Sequence, residues 1–167
     1  FFLKKGLNSC VIGHDCRHSS PEYQEAMARG LVSTGVDVVM LGMVATPLQY
    51  FGVCHLNRQA GVMITASHNP PEYNGFKIWA GVTTIHTTEI EAIYTIMKEG
   101  SFAEGRGVAS ELDIVPSYID AVTSRVSLVR KLKVVLDGGN GAGGLVCAEI
   151  LRRIGCDVVE QYCEPDG

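Results

Sequence analysis

A serine, a histidine and a lysine in one short polar segment are the residues of this sequence best suited to chemistry. Ser67, His68 and Asn69 lie just after the apolar run 60–65, and Lys77 lies in the next apolar run. A hydroxyl at the tip of a buried strand, with an imidazole beside it, is positioned to act as a nucleophile. The ammonium of Lys77 could reach a phosphate or relay a proton. The pattern indicates group transfer through Ser67, although serine, histidine, asparagine and proline are also ordinary turn residues.

Alternating apolar runs and helical patterns must position these residues. The predicted strands are 9–13, 36–41, 60–65 and 75–79, and the predicted helices are 21–34, 46–57, 88–99 and 116–130. Apolar strands joined by helical crossovers predict a parallel sheet that is covered on both faces. Asn74-Gly75 favours a tight reversal, so the strand that carries Lys77 is predicted to be antiparallel. Ser20 is predicted to cap the first helix, with Pro21 as its first residue.

The fold class that follows is α/β, with two unequal domains. Residues 1–130 are predicted to form a three-layer α/β/α domain with a mixed, mostly parallel sheet and an incomplete N-terminus. Residues 131–167 repeat the rhythm with a strand at 134–136, a helix at 143–154 and a strand at 157–162. One β-α-β unit cannot cover both faces of a parallel sheet. We therefore expect it to be the start of a second, similar domain, truncated here, with the remaining domains of the polypeptide as its partners.

Composition excludes two classes of partner. Of 167 residues, 46% are apolar and 19% are charged, which is a globular balance. The net charge of −4 comes without a basic stripe, so nucleic acid is not an expected partner. No apolar run approaches the roughly 18 to 20 residues that span a bilayer, so no membrane is expected either. Six cysteines without a C-x-x-C pair are typical of a reducing compartment, and we expect a cytoplasmic protein.

Three segments carry a resemblance to a known family. The run T-A-S-H-N-P-P-E-Y-N-G-F-K at 65–77 resembles the active-site serine loop of the α-D-phosphohexomutases, the phosphomannomutase and phosphoglucomutase family. Residues 13–20 resemble the family's G-x-D-x-R-x-S-S segment, and D-G-G-N-G-A-G-G at 137–144 resembles the opening of its second domain. Pro71, Tyr73 and Phe76 favour the mannose and glucose branch, with phosphoglucosamine mutase as an alternative.

The resemblance implies a phosphoserine enzyme. Ser67 would donate a phosphoryl group to a hexose phosphate, giving a hexose 1,6-bisphosphate that turns over in the site and returns its other phosphoryl group. The bisphosphate would also serve as activator. Lys77 matches the family's general acid/base, and Arg17 matches an arginine that orients or polarises the reacting groups. His68, as a catalytic-loop residue, and Asn69 and Asp15 are expected to shape the site.

The resemblance also implies Mg²⁺, held by the phosphate on Ser67 and by an aspartate cluster of the second domain. Such a D-G-D-x-D-R cluster is absent from this sequence, as are the family's sugar-specificity loop and distal phosphate loop. The remaining metal ligands are therefore expected outside this chain. For the same reason we expect the chain to be inactive by itself.

Other interpretations of the sequence remain open at this point. Gly139 to Gly144 satisfies G-x-G-x-x-G, with Glu160 roughly 20 residues further on, so a dinucleotide-binding α/β protein is the alternative function. A second alternative is a stand-alone α/β module that binds partners through its exposed sheet edge. The run 14–18 contains metal-ligand residue types, but it precedes a helix start, and a polar loop is the favoured interpretation.

Overall fold

The computed structural model describes residues 1–166 and shows eight strands and five α-helices in this part of the chain. They are, in chain order, β1 (Ser9–His14), α1 (Ser20–Ser33), β2 (Asp37–Met43), α2 (Thr46–His55), β3 (Ala60–Ile64), β4 (Phe76–Ala80), β5 (Thr83–Thr84), α3 (Thr87–Glu99), β6 (Ala109–Glu111), α4 (Val115–Thr123), β7 (Lys133–Asp137), α5 (Gly144–Arg153) and β8 (Asp157–Gln161). A short 3₁₀ turn, Leu3–Lys5, precedes them and ends at Gly6. None of the helices in the described residues is long and apolar enough to cross a membrane.

The first six strands form one sheet in the order β5-β4-β3-β1-β2-β6. Strands β3, β1, β2 and β6 run parallel, β4 is antiparallel to β3, and β5 is antiparallel to β4. The mixed, mostly parallel sheet is therefore confirmed, including the antiparallel strand that carries Lys77. All residues of the central strands β1 and β3 are buried, because helices cover both faces of the sheet.

Two apolar layers sandwich this sheet and make the fold three-layered, as predicted. The layer on the α1 side contains Cys10, Ile12, Ala28, Val62 and other buried residues. Complete burial of Cys10 raises the pKa of its thiol. The layer on the α2 and α4 side contains Val11, Leu48, Met63, Ile114 and their neighbours. Residues of α3 reach the first layer only at its margin, since no residue of α3 is buried.

Glycines in the central strands let α2 pack closely on the sheet. Gln49 of α2 is fully buried, and its Nε2 donates to the Val11 carbonyl at 3.4 Å. A Cβ on Gly61 would lie against Gln49 Nε2 and 2.6 Å from Val53 Cγ2. A Cβ on Gly13 would lie 2.6 Å from Val44 Cγ2. The absence of these two side chains sets the position of α2, whose N-terminus borders the site described below.

Residues beyond α4 begin a second, separate sheet. Strands β7 and β8 pair in parallel and α5 connects them, which confirms the predicted β-α-β unit. Gly144 begins α5 where a Cβ would lie 2.8 Å from the Cys163 Cα, so glycine is required by close packing of the helix on the chain. Val135 and Val159 remain exposed on this sheet. The domain boundary near residue 130 stays a prediction.

Three details of the secondary structure differ from the prediction. Helix α4 ends at Thr123 and does not reach residue 130, because the hydroxyls of Thr123 and Ser124 bond to carbonyls of the preceding turn and β-branched residues follow. The short strands β5 and β6 were not predicted, since both lie at exposed edges and lack an apolar run. Ser19, not Ser20, occupies the N-cap position of α1, and the Ser20 hydroxyl is engaged elsewhere.

Two glycine substitutions should separate close packing from helix propensity. Gly61→Ala places a Cβ against Gln49 and Val53, and we expect it to cost about 1–3 kcal/mol of the free energy of unfolding. Gly30→Ala, within α1 where no atom lies within 4 Å of the added Cβ, should instead stabilise the fold by about 0.5–1 kcal/mol. Equilibrium denaturation of both variants measures the difference, and equal effects would contradict the packing role of Gly61.

Candidate active site

Two loops that could carry chemistry meet at the carboxyl edge of the large sheet. The first loop (residues 15–19) follows β1, and the serine loop (residues 65–75) follows β3. Since β1 and β3 are parallel neighbours, both loops leave the sheet at the same edge. The Asp15 N–H donates to the Ile64 carbonyl at 3.0 Å and extends the pairing by one residue into the first loop. The topology therefore brings Arg17 and Ser67 together.

Arg17 binds the backbone of the serine loop. Its Nη1 donates to the Pro70 carbonyl at 2.7 Å, and its Nη2 donates to the carbonyls of Asn69 and Ser67 at 2.7 and 3.1 Å. Its Nε donates to Asp15 Oδ2 at 3.0 Å, and only 9% of the side chain is exposed. A buried guanidinium with this many charge-assisted bonds holds its partners in one conformation. The geometry makes Arg17 the residue that orders the loop around Ser67.

Asp15 in turn orders Arg17. Its Oδ1 accepts the Ser20 hydroxyl at 2.6 Å and the Arg17 backbone N–H at 3.1 Å. Burial by itself would raise the pKa of Asp15, but the hydrogen bonds from Ser20 and Thr65 and the bonds and charge of Arg17 outweigh burial and lower it. Asp15 is therefore a fixed carboxylate that pairs with Arg17 and is unsuited to carry a proton at neutral pH.

Ser67 is held away from the sheet in an unusual backbone conformation. Its φ of 59° lies in the left-handed region, which costs a residue with a Cβ about 1–2 kcal/mol. The Ser67 N–H donates to Thr65 Oγ1 at 2.9 Å, and the Asn69 N–H donates to the Ala66 carbonyl at 3.1 Å. These bonds and Arg17 offset the strain. The side chain of Ser67 is left exposed, where its hydroxyl is accessible to a substrate.

A cavity of about 360 Å³ opens beside Ser67, between the two sheets. Its lining comprises residues of the first loop and the serine loop, the N-terminus of α2 and the glycine segment of the second unit: Asp15, Cys16, Arg17, Val44, Ala45, Thr46, Met63, Thr65, Ser67, Asn69, Pro71, Gly139, Asn140, Gly141, Ala142, Gly143 and Asp166. The thiol of Cys16 lies 3.6 Å from the Asn140 carbonyl and joins the two units. The cavity is large enough for a small polar ligand.

The electrostatics of this cavity come from helix ends more than from free cations. Its lining brings together the N-termini of α2, at Ala45 and Thr46, and of α5, at Gly143. Helix N-termini favour anions such as phosphate. The lining contains one basic residue, Arg17, and two acidic residues, Asp15 and Asp166, and Arg17 is already paired with Asp15. A ligand with more than one anionic group would need further positive charge from outside this lining.

The other predicted site residues lie near Ser67 with less definite contacts. Lys77 is exposed on β4 directly opposite Met63, and Met63 lines the cavity. Side chains of directly paired residues share a face of the sheet, so Lys77 lies on the cavity side. His68 is exposed at the tip of the serine loop, and Asn69 contributes its carbonyl to Arg17. The chemical roles of Ser67, Lys77 and His68 stay predictions.

Sequence patterns did not identify three polar residues of the site. The Thr65 hydroxyl accepts the Ser67 N–H, and the Ser20 hydroxyl donates to Asp15. The Asn74 amide donates to the hydroxyls of Ser19 and Ser20. Both Asn74 and Ser20 lie in segments that resemble the family, but the sequence assigns Asn74 a role only as a turn residue and Ser20 a role only as a cap. Both local roles are common enough to hide a tertiary one. Residues 139–143, which belong to the segment 139–144 that satisfies the dinucleotide pattern, also form part of the wall of this cavity.

The described residues do not by themselves fit a metal ion. Within residues 1–166 no group of three or more His, Cys, Asp or Glu side chains could hold one. His14 is the buried last residue of β1, and its ring Nδ1 lies 2.7 Å from the Asp15 carbonyl, whereas Asp15, Cys16 and His18 belong to the loop that follows. A phosphate on Ser67 would be the only oxygen donor from this part of the chain that the resemblance implies. Mg²⁺ therefore stays a prediction, and no chemical step is assigned to it.

The fold and this site together define a class of protein. Residues 2–104 match the family model described as phosphoglucomutase/phosphomannomutase, alpha/beta/alpha domain I, and residues 116–167 match the model of alpha/beta/alpha domain II. The chain belongs to the phosphoglucomutase/phosphomannomutase family. This assignment confirms the resemblance of the serine loop and accounts for the glycine segment as part of the second domain.

Particular relatives agree with the family. A protein of Pseudomonas aeruginosa named phosphomannomutase/phosphoglucomutase is 37% identical over 165 residues, which cover 99% of this chain and 36% of that protein. A probable phosphoglucosamine mutase of Thermococcus kodakarensis is 40% identical over 167 residues, covering 97% of this chain and 37% of that protein. The crystal structure of a phosphoglucomutase/phosphomannomutase family protein from Burkholderia thailandensis superposes with a TM-score of 0.94 at 33% identity, covering 99% of this chain and 38% of that one. The chain thus spans just over a third of the length of these relatives.

The lowered pKa of Asp15 predicts a specific pH dependence of stability. Because the native state favours the ionised carboxylate, its stabilisation is complete above the ordinary pKa of an aspartate. It declines as the pH falls through that value and is lost below the lowered native pKa. We therefore expect Asp15→Asn to cost roughly 1.5–3 kcal/mol of the free energy of unfolding at neutral pH and progressively less on acidification.

Urea denaturation of the two proteins across the acidic range measures this convergence. Glu25→Gln, which removes an exposed carboxylate on α1, controls for the loss of one negative charge. A difference between wild type and Asp15→Asn that stays constant with pH would contradict the ion pair as its source.

Proposed function

We propose that the whole protein containing this chain is a phosphohexomutase that interconverts the 1-phosphate and 6-phosphate of mannose, glucose or both. The observation that supports this proposal most directly is the grip of Arg17 on the carbonyls of residues 67, 69 and 70, which presents a strained, exposed serine to the cavity. Phosphoryl transfer asks a protein mainly to position its groups and to stabilise charge. This arrangement meets the first requirement.

In the proposed reaction, Ser67 carries the phosphoryl group. A hydroxyl of the hexose phosphate attacks the phosphorus, the bond between phosphorus and Ser67 Oγ breaks, and its electron pair remains on Oγ. Lys77 accepts the proton of the attacking hydroxyl and returns a proton to Oγ. The product is a hexose 1,6-bisphosphate, which reorients in the site and transfers its other phosphoryl group to Ser67. The same bisphosphate would activate an enzyme whose serine has lost its phosphate.

The contacts of Arg17 favour a positioning role over direct polarisation of the substrate. Its guanidinium already donates to Asp15 and to the loop carbonyls. A phosphoserine brings about −1.5 to −2 charges into a cavity that offers two helix N-termini. The remaining positive charge is proposed to come from Lys77 while it holds the transferred proton, from the other domains of the polypeptide, and from Mg²⁺ whose other ligands lie in those domains. For this reason we expect the chain alone not to turn over a hexose phosphate.

Phosphoglucosamine mutase is a second candidate, favoured by the 40% identity to the Thermococcus kodakarensis relative. The serine loop and Arg17 would serve that reaction in the same way, since both substrates are hexose phosphates. Residues that contact the sugar decide between the two activities, and we propose that they lie in the remaining domains. Assays of the whole enzyme with glucose, mannose and glucosamine phosphates distinguish the candidates directly.

The carrier role of Ser67 can be tested by removing its hydroxyl. In the whole enzyme, Ser67→Ala should all but abolish turnover, because no covalent phosphoryl intermediate can form. Intact mass spectrometry after incubation with hexose 1,6-bisphosphate should show one added phosphoryl group on the wild type and none on the variant. Ser101→Ala, at an exposed loop serine, is the matched control and should resemble the wild type. Normal turnover by Ser67→Ala would exclude the mechanism.

The proton-transfer role of Lys77 predicts a loss of rate without a loss of fold. Lys77→Met should slow transfer from the phosphoserine by about 10²–10⁴-fold, the range for general acid/base groups. Because Lys77 is exposed, its replacement should change stability by no more than about 0.5 kcal/mol. Single-turnover kinetics and thermal melting measure the two effects. Lys98→Met, at an exposed lysine of α3, is the control, and equal rates for both variants would remove Lys77 from the mechanism.

A further inference from the structure

The side chain of Asn74 connects the far end of the serine loop to the start of α1. Its Nδ2 donates to the hydroxyl oxygens of Ser19 and Ser20, both at 2.9 Å. Its Oδ1 accepts the Gly75 N–H at 2.8 Å, and the Gly75 carbonyl accepts the Thr65 N–H at 2.9 Å. Asn74 therefore closes the loop just where its two ends rejoin the sheet.

One of these bonds continues to Arg17. The Ser20 hydroxyl accepts from Asn74 and donates its own proton to Asp15 Oδ1 at 2.6 Å, so the hydroxyl has a defined direction. Asp15 then fixes Arg17 through its Nε and its backbone N–H. Ser20 is fully buried, so the hydroxyl at the centre of this relay is shielded from competing water, whereas Asn74 and Asp15 are partly buried. A continuous chain of hydrogen bonds therefore connects Asn74 to the Arg17 guanidinium, which donates to the Ser67 carbonyl.

We infer that Asn74 is a positioning residue for phosphoryl transfer, acting through Ser20 and Asp15 on Arg17. The inference rests on the proposed phosphoserine function, since it concerns the placement of the same serine. An amide is required because it must donate to the hydroxyls and accept from Gly75 at once. Because the Asn74 amide donates to the Ser20 oxygen, the Ser20 hydroxyl donates its own proton to Asp15. A carboxylate at position 74 could not donate, and it would compete with Asp15 for the Ser20 proton.

Ser19 provides a matched control for Ser20. Both hydroxyls lie 2.9 Å from the Asn74 amide, but the bond to Asp15 is made by Ser20. A general anchoring role for Asn74 would make both serines equally important. A relay to Arg17 makes Ser20 important and Ser19 dispensable.

The test uses the full-length enzyme and the variants Asn74→Asp, Ser20→Ala and Ser19→Ala. Asn74→Asp retains the size of the side chain and the oxygen that accepts from Gly75 but replaces the donor. In single-turnover transfer from phosphorylated Ser67 to glucose 1-phosphate, we expect Asn74→Asp and Ser20→Ala to lower the rate constant by up to the order of a hundredfold. In steady-state assays of the same variants, the KM for glucose 1-phosphate should change by less than about threefold, because the substitutions disturb the reacting geometry and not substrate binding. Ser19→Ala should keep the wild-type rate.

A second readout follows Arg17 directly. In ¹⁵N-resolved NMR spectra, exchange of the Arg17 Nε–H with water should accelerate by roughly tenfold in Asn74→Asp and Ser20→Ala, and should be unchanged in Ser19→Ala. Thermal melting of each variant identifies any that fail to fold. Wild-type transfer rate and wild-type exchange in a folded Asn74→Asp would overturn the inference, as would equal losses for Ser19→Ala and Ser20→Ala.

The two proposals fail in different ways. If the wild-type enzyme takes up no phosphoryl group on Ser67 from glucose 1,6-bisphosphate, the proposed function is wrong, and the exchange of the Arg17 Nε–H still decides whether the relay exists. If the wild type transfers the phosphoryl group normally and the variants do so equally well, the proposed function stands and the relay is wrong.

Discussion

A buried guanidinium must find a hydrogen-bond acceptor in each direction in which it donates, and the acceptors that Arg17 finds are the backbone carbonyls of the serine loop and the carboxylate of Asp15. Together with the hydrogen bond from the Ser67 N–H to Thr65, these contacts hold Ser67 in the left-handed region with its side chain outside the core. A charge left without these partners in a nearly inaccessible position would be costly, so loop and arginine order each other. The candidate site depends on this mutual requirement.

The sheet brings the two partners of that contact together. Because β1 and β3 are adjacent parallel strands, Arg17 and Ser67 lie close in space although 50 residues separate them in the chain. Both strands are buried on both faces, so a shift in register would disrupt close packing in both apolar layers. Gly13 and Gly61 then allow α2 to approach, and the N-terminus of α2 borders the cavity beside Ser67. The core and the site are thus parts of one packing arrangement.

Much of this architecture could be predicted, and the exceptions have physical reasons. The long apolar strands and most of the helices were predicted within a few residues. Strand β4 is antiparallel as predicted, although residues 65–75, and not a tight turn at Asn74-Gly75, connect it to β3. The edge strands β5 and β6 were missed because strand pairing, and not an apolar pattern, defines them. The end of α4 was misplaced because serine and threonine hydroxyls compete for backbone groups. The roles of Asn74 and Ser20 were missed because their partners are distant in sequence.

The sequence by itself determined the fold class, the family and the segment that carries Ser67, since hydrophobic period and a long motif are local properties of the chain. Only the tertiary structure decided what Arg17 contacts. A motif places an arginine four residues after Gly13, but the carbonyls that receive its hydrogen bonds belong to another loop. The tertiary structure also decided that the glycine segment of the second unit forms a wall of the same cavity. Contacts between distant loops depend on which strands are neighbours, and strand order is a property of the assembled sheet.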